Sequence, residues 1–99
     1  MIIISFILFT VPRSITNLQV VSRSNSTIDI DFDGSENAAS YFVEVLQSLE
    51  QLQSFSISST ETQITGLSSA STYIIRVQAE NVNGASDFVE LEASTSKFL

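Results

Sequence analysis

Apolar and polar residues alternate along much of this chain, and the alternation has a period of two. It is clearest at residues 28–33, where Ile28, Ile30 and Phe32 are separated by aspartates. Residues 72–80 carry the same pattern over a longer stretch. A period of two directs successive side chains to opposite faces of a β-strand. The pattern therefore predicts strands with one buried face, and hence an all-β fold.

Two further segments alternate in the same way, at residues 41–46 and 88–93. One face of each strand should point into a core and the other toward solvent. The predicted inward rows are Tyr41, Val43 and Val45; Tyr73, Ile75, Val77 and Ala79; and Val89, Leu91 and Ala93. These rows are the candidate core of the protein, together with the apolar row of residues 28–33.

Residues 62–86 predict a strand, a corner, a second strand and a tight turn in succession. Gly66 interrupts the apolar run, so the chain turns before the strand that begins near Tyr73. A tyrosine at such a corner can bury its ring and return its hydroxyl to an upstream backbone group. After this strand, Asn83-Gly84 favours a type I′ turn, because both residue types tolerate positive φ. The turn should lead directly into the last strand.

The same stretch resembles the second half of a fibronectin type III domain. That family's pattern is Gly-Leu, a short corner, Tyr, alternating apolar residues and then Ala-x-Asn-x-x-Gly-x-Ser. The chain supplies the following residues in register: Gly66, Leu67, Tyr73, Val77, Ala79, Asn81, Gly84 and Ser86. Ser69 stands where the family often has a proline. The resemblance covers about residues 12–95 and implies a seven-stranded antiparallel β-sandwich with immunoglobulin-like topology.

The family layout assigns the first two strands. Residues 12–21 correspond to the first strand. Pro12 lies at its start, where the lack of a backbone N–H least disrupts the hydrogen bonding of the strand. Phe32, in the second strand, stands where the family usually has a tryptophan, so we expect a core that is either slightly smaller or refilled by neighbours such as Tyr41. The candidate core contacts of the first strand are Ile15, Leu18 and Val20.

Residues 43–55 carry two conflicting patterns. Three leucines recur at helical spacing from Leu46 to Leu52, and glutamine, glutamate and leucine are good helix formers. Against a helix stand the β-branched residues that lead into the segment, the lack of a clean cap and the strand order of the family. We therefore expect a turn near residues 48–51, followed by a short fourth strand through Phe55 and Ile57.

The chain contains neither cysteine nor histidine. This composition excludes disulfide scaffolds, cysteine-ligated zinc and thiol catalysis, and it removes the usual general base. The serines have no histidine to activate them. At 99 residues the chain has the length of one domain. The sequence therefore predicts a single domain that is not an enzyme and needs no cofactor.

Acidic residues outnumber basic ones, and the net charge is −7. The acidic residues are scattered over the chain, which favours solubility. The composition argues against nucleic acid as a partner, since phosphate binding needs a clustered basic face.

Asp29, Asp31 and Asp33 suggest a metal site. Their side chains should stand about 7 Å apart along a strand, whereas calcium sites gather oxygens at about 2.4 Å. We therefore expect a solvated outer face and no metal.

Three segments bear on processing and domain boundaries. Residues 1–11 are uncharged and apolar but too short for a membrane-spanning helix, which needs about 20 residues. They fit a remnant or atypical secretion signal, the boundary of a fragment, or an ordered part of the fold, and should be prone to associate if unpaired. Asn25-Ser26-Thr27 is an N-glycosylation acceptor pattern, which matters only in a secretory pathway. Residues 96–99 are interpreted as a C-terminal boundary.

A candidate binding surface comes from the outward rows of the third, sixth and seventh predicted strands, which are neighbours in the family layout. Glu44 and Arg76 should form a cross-strand pair on this face. Several apolar side chains on a face that should be wet indicate a protein-binding surface. The alternatives are singly exposed apolar residues, or a face covered by the fourth strand and the chain ends. The apolar candidates are Phe42, Leu46, Ile74 and Phe88.

The resemblance implies a non-enzymatic binding or spacer module of a larger, extracellular or cell-surface adhesion or receptor-like protein. The integrin-binding Arg-Gly-Asp tripeptide and the Trp-Ser-x-Trp-Ser box of cytokine receptors are absent from the chain, so neither function is carried over. The alternative is an accessory domain of a secreted multidomain enzyme whose catalytic part is not in this chain. We expect a monomeric module with a protein partner, no nucleic acid, no membrane span and no cofactor.

Overall fold

The computed structural model describes residues 10–97, and this part of the chain forms eight β-strands and contains no helix. The strands, in chain order, are β1 (Thr16–Arg23), β2 (Ile28–Asp33), β3 (Ser40–Gln47), β4 (Glu50–Ile57), β5 (Glu61–Ile64), β6 (Thr72–Asn81), β7 (Gly84–Ala85) and β8 (Val89–Ser94). Each predicted alternation of apolar and polar residues coincides with one of these strands.

The strands form two antiparallel sheets, which confirms the predicted all-β sandwich. One sheet has the order β1-β2-β5, and the other has the order β4-β3-β6-β7 with β8 also paired to β6. The strand predicted after the last turn is divided into β7 and β8. At this break the Ser86 hydroxyl, rather than a backbone carbonyl, accepts the Ala79 N–H at 2.9 Å. The ladder is therefore interrupted, and the strand count becomes eight instead of seven.

The inward rows of the two sheets pack against each other and form the core. The predicted inward residues of β2, β3 and β6 are all buried, and Ile15 is buried just before β1. Leu18, Val20, Val89 and Leu91 are partly buried against them. Burying one such apolar side chain contributes about 1.5–3 kcal/mol. The core therefore lies where the alternation of the sequence predicts it.

Tyr73 forms the predicted corner. Its ring is buried at the start of β6, and its hydroxyl accepts a hydrogen bond from the backbone N–H of Ser68 at 2.8 Å. Leu67, the residue before this N–H, is also buried. One side chain thus closes the connection between β5 and β6 and satisfies a partly buried backbone donor.

Phe32 and Tyr41 together occupy the part of the core where the resembled family usually has a tryptophan. Their ring centroids are 5.0 Å apart, and the rings meet edge to face at 70°. This geometry is favourable for aromatic pairs. The tyrosine hydroxyl also receives the N–H of Ser35 at 3.3 Å. The expectation that Tyr41 packs beside Phe32 is confirmed.

The segment with the ambiguous pattern forms a β-hairpin, as predicted. Ser48 and Leu49 join β3 to β4 and have positive φ angles of 51° and 69°. Two residues with positive φ form a turn whose twist matches that of the flanking strands. The pairing then skips Leu52, which is the extra residue of a β-bulge. Strand pairing therefore overrides the helical spacing of the leucines.

The turn between β6 and β7 differs from the prediction. Its central residues are Val82 and Asn83, neither of which has positive φ, so the predicted type I′ turn at Asn83-Gly84 is wrong. The side-chain oxygen of Asn81 accepts the Asn83 N–H at 2.8 Å and stabilises this alternative turn. Gly84 has a φ of 145°, and an added Cβ would lie 2.9 Å from Val11 Cγ1.

The chain enters and leaves the described sandwich at opposite ends. At one end, the side-chain amides of Asn81 and Asn83 donate to the Thr10 carbonyl at 2.9 and 3.3 Å. At the other, Thr95 is buried and its hydroxyl donates to the Ser68 carbonyl at 2.6 Å. Most of the predicted apolar N-terminal segment and the last two residues of the predicted C-terminal boundary lie outside the described residues.

Candidate functional site

The outward side of the five-stranded sheet carries the four apolar residues predicted as a binding surface. Phe42 and Leu46 lie on β3, Ile74 lies on β6, and Phe88 directly precedes β8. They form two apolar pairs. Leu46 is opposite Ile74 in the β3–β6 ladder, and the Phe42 and Phe88 rings are 6.5 Å apart. These four residues and the charged residues between them are called the outward face below.

Arg76 occupies the centre of the outward face. Its Nη1 is 3.4 Å from Glu44 Oε1, which confirms the predicted cross-strand pair. Its Nε is 3.4 Å from Glu90 Oε2, an ion pair without hydrogen-bond geometry. Its guanidinium carbon is 4.0 Å from the centroid of the Phe88 ring, within the range of cation–π attraction. Arg76 thus joins both glutamates to the aromatic pair.

The four apolar residues are each partly buried rather than fully exposed. The fourth strand extends the sheet beside β3 and places only Ser54 and Ser56 opposite Glu44 and Phe42. It therefore does not lie over the outward face. Arg76 covers part of Phe88 from solvent. The face consequently offers two apolar areas on either side of a charged centre whose groups hold one another in place.

Some residues near the outward face were not assigned to it from the sequence. Leu49, at the tip of the β3–β4 hairpin, is 96% exposed, and Leu52, at the bulge, is 45% exposed. They lie beyond Leu46 at the same end of the sheet.

The contact between Glu90 and Arg76 was also not predicted from the sequence. Counting back from the turn between β6 and β7 places Arg76 opposite Val89, and the one-residue shift at the break between β7 and β8 brings Glu90 opposite Arg76 instead.

The aspartates of β2 lie on the outward side of the other sheet, where each accepts a hydrogen bond from β1. The donor and acceptor pairs are Asn17 with Asp33 at 2.5 Å, Gln19 with Asp31 at 2.8 Å and Ser22 with Asp29 at 2.6 Å. In the part of the chain that the structure describes, no group of three or more potential ligands is placed to hold a metal ion. The carboxylates instead link two strands.

Asn25, the candidate glycosylation residue, lies in the short connection between β1 and β2 and is partly buried. The Ser24 hydroxyl oxygen accepts the backbone N–H groups of Ser26 at 3.2 Å and Thr27 at 3.0 Å. The Ser24 and Thr27 hydroxyls are 2.7 Å apart. Hydroxyl groups of neighbouring residues therefore hold the acceptor pattern in an ordered turn.

The outward face combines one charged centre with apolar surface. Its charged centre is an arginine held between two carboxylates, and its remaining surface is apolar. Separately, residues 10–97 contain no helix that is long and apolar enough to cross a membrane.

Comparisons with known proteins identify the same domain type. A family model for the fibronectin type III domain matches residues 12–94. The crystal structure of FN3tt is similar with a TM-score of 0.82 and 22% identity, over 90% of this chain and 99% of that chain. The solution structure of the fn3 domain of human collagen alpha-1(XX) chain is similar with a TM-score of 0.79 and 18% identity, over 90% and 88% of the two chains.

A third similar structure is that of domains d3–d4 of the rat CD45 extracellular region. Its TM-score is 0.81 at 15% identity, and the alignment covers 96% of this chain and 61% of that chain. A search of curated protein sequences found no match. Because these identities are all low, the structural similarity shows the fold alone. The match to the family model covers most of the chain.

Proposed function

Because this chain belongs to the fibronectin type III family, we propose that it binds a protein partner through its outward face, as a non-enzymatic interaction module. Domains of this family commonly serve in protein–protein interaction or as spacers. The observation that supports the proposal is the position of Arg76, held by two glutamates over Phe88. This arrangement leaves apolar area on both sides of a fixed charge.

A preordered surface of this kind lowers the cost of binding. A partner that contacts a mobile arginine must immobilise it, at about 0.5–1.5 kcal/mol for one such side chain. Here Glu44, Glu90 and Phe88 already restrain Arg76 in the free protein. Aromatic residues and arginine are also the types that most often dominate binding energy at protein interfaces. Phe42, Phe88 and Arg76 are therefore the expected centre of the contact.

The proposal extends to the setting in which the module acts. We place it in a larger extracellular or cell-surface protein of adhesion or receptor type, where it also spaces neighbouring domains. Two observations support this setting. The CD45 region of similar fold is described as extracellular, and the chain carries the acceptor pattern at Asn25, which only a secretory pathway can use.

The test of binding compares three versions of the full chain as baits for photo-crosslinking to surface proteins of the source cells. The variant Ile74→Ala/Phe88→Ala removes one residue from each apolar pair. The control Val21→Ala/Val82→Ala removes exposed apolar side chains from other surfaces. We expect at least one crosslinked protein that the wild type and the control share and the face variant loses. Identical capture by all three would contradict binding through the outward face.

The test of the setting is glycosylation at Asn25. When the chain is expressed behind a secretion signal, we expect a glycan that an N-glycosidase removes, with a corresponding gain in electrophoretic mobility. Asn25→Gln should abolish the shift, whereas Asn37→Gln should not, because no hydroxyl residue follows two positions after Asn37. Secretion of the wild type without any glycan would contradict use of this acceptor.

A further inference from the structure

Strand β4 is an open edge of the five-stranded sheet. It spans Glu50–Ile57 and pairs with β3 alone among the strands within residues 10–97. An edge strand presents a row of unpaired N–H and C=O groups along its free side, and these groups can pair with a strand of another chain. The edge is eight residues long, which is long enough for a continuous ladder.

This edge has few of the features that normally prevent pairing. Residues 51–57, QLQSFSI, contain no charged residue and no proline. Natural edge strands are usually protected by lysine, proline, inward-pointing charges or bulges. The bulge at Leu52 lies near the start of the strand, and the pairing with β3 is regular from Gln53 to Ile57. Most of the edge is therefore regular in its pairing and uncharged, and its side chains at Ser54 and Ser56 are exposed.

The other edges of the described sandwich are short, irregular or covered. β5 has only four residues, and β1 has two register shifts in its pairing with β2. The end of β8 is covered from the β1 side, where Arg23 Nη1 donates to the Ser94 carbonyl at 3.2 Å and the Ser96 N–H donates to the Ser24 carbonyl at 2.9 Å. β4 is thus the most open edge of residues 10–97.

Two exposed leucines lie near the start of this strand, Leu49 in the turn just before it and Leu52 at its bulge. Leu49 and Leu52 are among the most exposed large apolar residues of the described chain. Single exposed apolar residues are common, but these two adjoin an unpaired backbone edge. A strand added along β4 would cover Leu52 as well as pair the backbone. Apolar burial and main-chain hydrogen bonding would then favour the same contact.

We propose that β4 pairs antiparallel with β4 of a second copy of this chain, about a two-fold axis at Ser54. Ser54 is the centre of the uncharged stretch 51–57, so this register uses the whole stretch. It sets Leu52 opposite Ser56 of the second copy, and Glu50 opposite Ser58. No charged residue then faces a like charge across the new ladder. The two five-stranded sheets become one continuous sheet.

A second copy fits this edge because antiparallel pairing of identical strands is self-complementary and closes at two chains. The contact uses the edge of the sheet, so it is distinct from the binding proposed for the outward face. The net charge of −7 on each copy opposes association. The dimer should therefore be weak and should strengthen as salt screens the repulsion. Pairing based on opposite charges would show the reverse dependence on salt.

The first test measures the mass of the full chain by sedimentation over a range of concentrations and salt. We expect wild-type dimers that become tighter with salt. Ser54→Lys places two lysines opposite each other and should weaken the dimer up to about fivefold. Ser69→Lys, an equal charge change at an exposed loop position, should not weaken it. Equal behaviour of the two lysine variants, or a wild type that stays monomeric up to about 1 mM, would overturn the proposal.

Association through the apolar N-terminal residues is the main competing explanation. Ile4→Lys in the full chain introduces a charge there and leaves β4 unchanged. If Ile4→Lys abolishes the dimer and Ser54→Lys does not, residues 1–9 rather than β4 hold it, and the proposal is overturned. If Ser54→Lys weakens the dimer and Ile4→Lys does not, the edge is responsible. Phe88→Ala should leave the dimer unchanged, which separates this contact from the outward face.

The second test uses the absence of native cysteine. Residues directly opposite each other in an antiparallel ladder have Cα atoms about 4.5–5.5 Å apart, which lies within the range of disulfide-bridged residues. Under mild oxidation, Ser54→Cys should therefore form a disulfide-linked dimer quickly, and Ser69→Cys should form it only at the rate of random collision. Equal rates for the two cysteine variants would overturn the two-fold register at Ser54.

Discussion

Arg76 stacks on Phe88, with its guanidinium carbon 4.0 Å from the ring centroid. The β6–β8 ladder explains this contact. It sets Arg76 opposite Glu90, and Phe88 lies two residues before Glu90 on the same side of the sheet. Diagonal neighbours at this spacing are within reach of long and aromatic side chains. The centre of the outward face is therefore fixed by strand register and does not depend on a bound partner.

Arg76→Ala should destabilise the protein modestly. The substitution removes the cation–π contact, which contributes about 0.5–1 kcal/mol at a partly exposed site. It also leaves Glu44, whose side chain is 15% exposed, without its cation. Because ion pairs near the surface contribute no more than about 1 kcal/mol, we expect a total loss of about 1–2 kcal/mol in the free energy of unfolding.

The measurement for Arg76→Ala is denaturant unfolding beside Arg13→Ala, which makes the same charge change at an exposed position. The control should change the unfolding free energy by less than about 0.5 kcal/mol. Equal effects of the two variants would mean that the contacts around Arg76 do not order the outward face.

Tyr73→Phe should cost more stability than Tyr41→Phe. Each substitution deletes one hydroxyl that accepts a backbone N–H. The Ser68 N–H donates to Tyr73 at 2.8 Å, whereas the Ser35 N–H donates to Tyr41 at 3.3 Å. Losing the shorter bond leaves a partly buried donor unsatisfied, which costs about 1–3 kcal/mol. Thermal and denaturant unfolding of both variants measure the difference, and a larger loss in Tyr41→Phe would contradict the role assigned to the corner.

Asp31→Asn should stabilise the protein at low salt. Asp31 lies directly opposite Glu61 in the β2–β5 ladder, and like charges in that position are unfavourable by about 0.2–1 kcal/mol. The asparagine keeps an oxygen that can accept the bond from Gln19. Asp33→Asn is the matched control, because Asp33 is opposite Thr16 rather than a carboxylate.

The gain from Asp31→Asn should disappear at about 1 M salt, where the screening length falls to about 3 Å. Unfolding free energies of both variants at low and high salt test this. A gain that persists at high salt, or one of equal size in Asp33→Asn, would show that cross-strand repulsion is not its source.

The alternation of apolar and polar residues predicted most of the fold, because strand geometry turns every second side chain toward the buried core. The inward rows that begin at Ile28, Tyr41 and Tyr73 are all buried. The corner was predictable because Tyr73 follows Gly66 at the spacing that such a connection needs. The pairing of Glu44 with Arg76 followed from the neighbouring positions of their strands. Each of these features depends on residue order along one or two strands.

The features that were mispredicted or missed depend on individual side-chain contacts. The turn after β6 is shifted because Asn81 bonds the Asn83 N–H, and local pattern alone favoured Asn83-Gly84. The division of the last strand follows from the Ser86 hydroxyl, which replaces a backbone acceptor. The stacking of Arg76 on Phe88 requires the register of two strands to be known. Such contacts leave no periodic signal in a sequence.

Whether the outward face is available to a partner is tested most directly by the free energy of unfolding. The comparison is between Ile74→Ala/Phe88→Ala and Ile75→Ala. Ile75 is a fully buried neighbour of Ile74, and its truncation should cost about 2–5 kcal/mol. If the outward face is available to a partner, the double variant unfolds cooperatively and loses less stability than Ile75→Ala. A double variant that loses as much as Ile75→Ala, or that fails to fold, would show that these side chains belong to the core and contradict their role in binding.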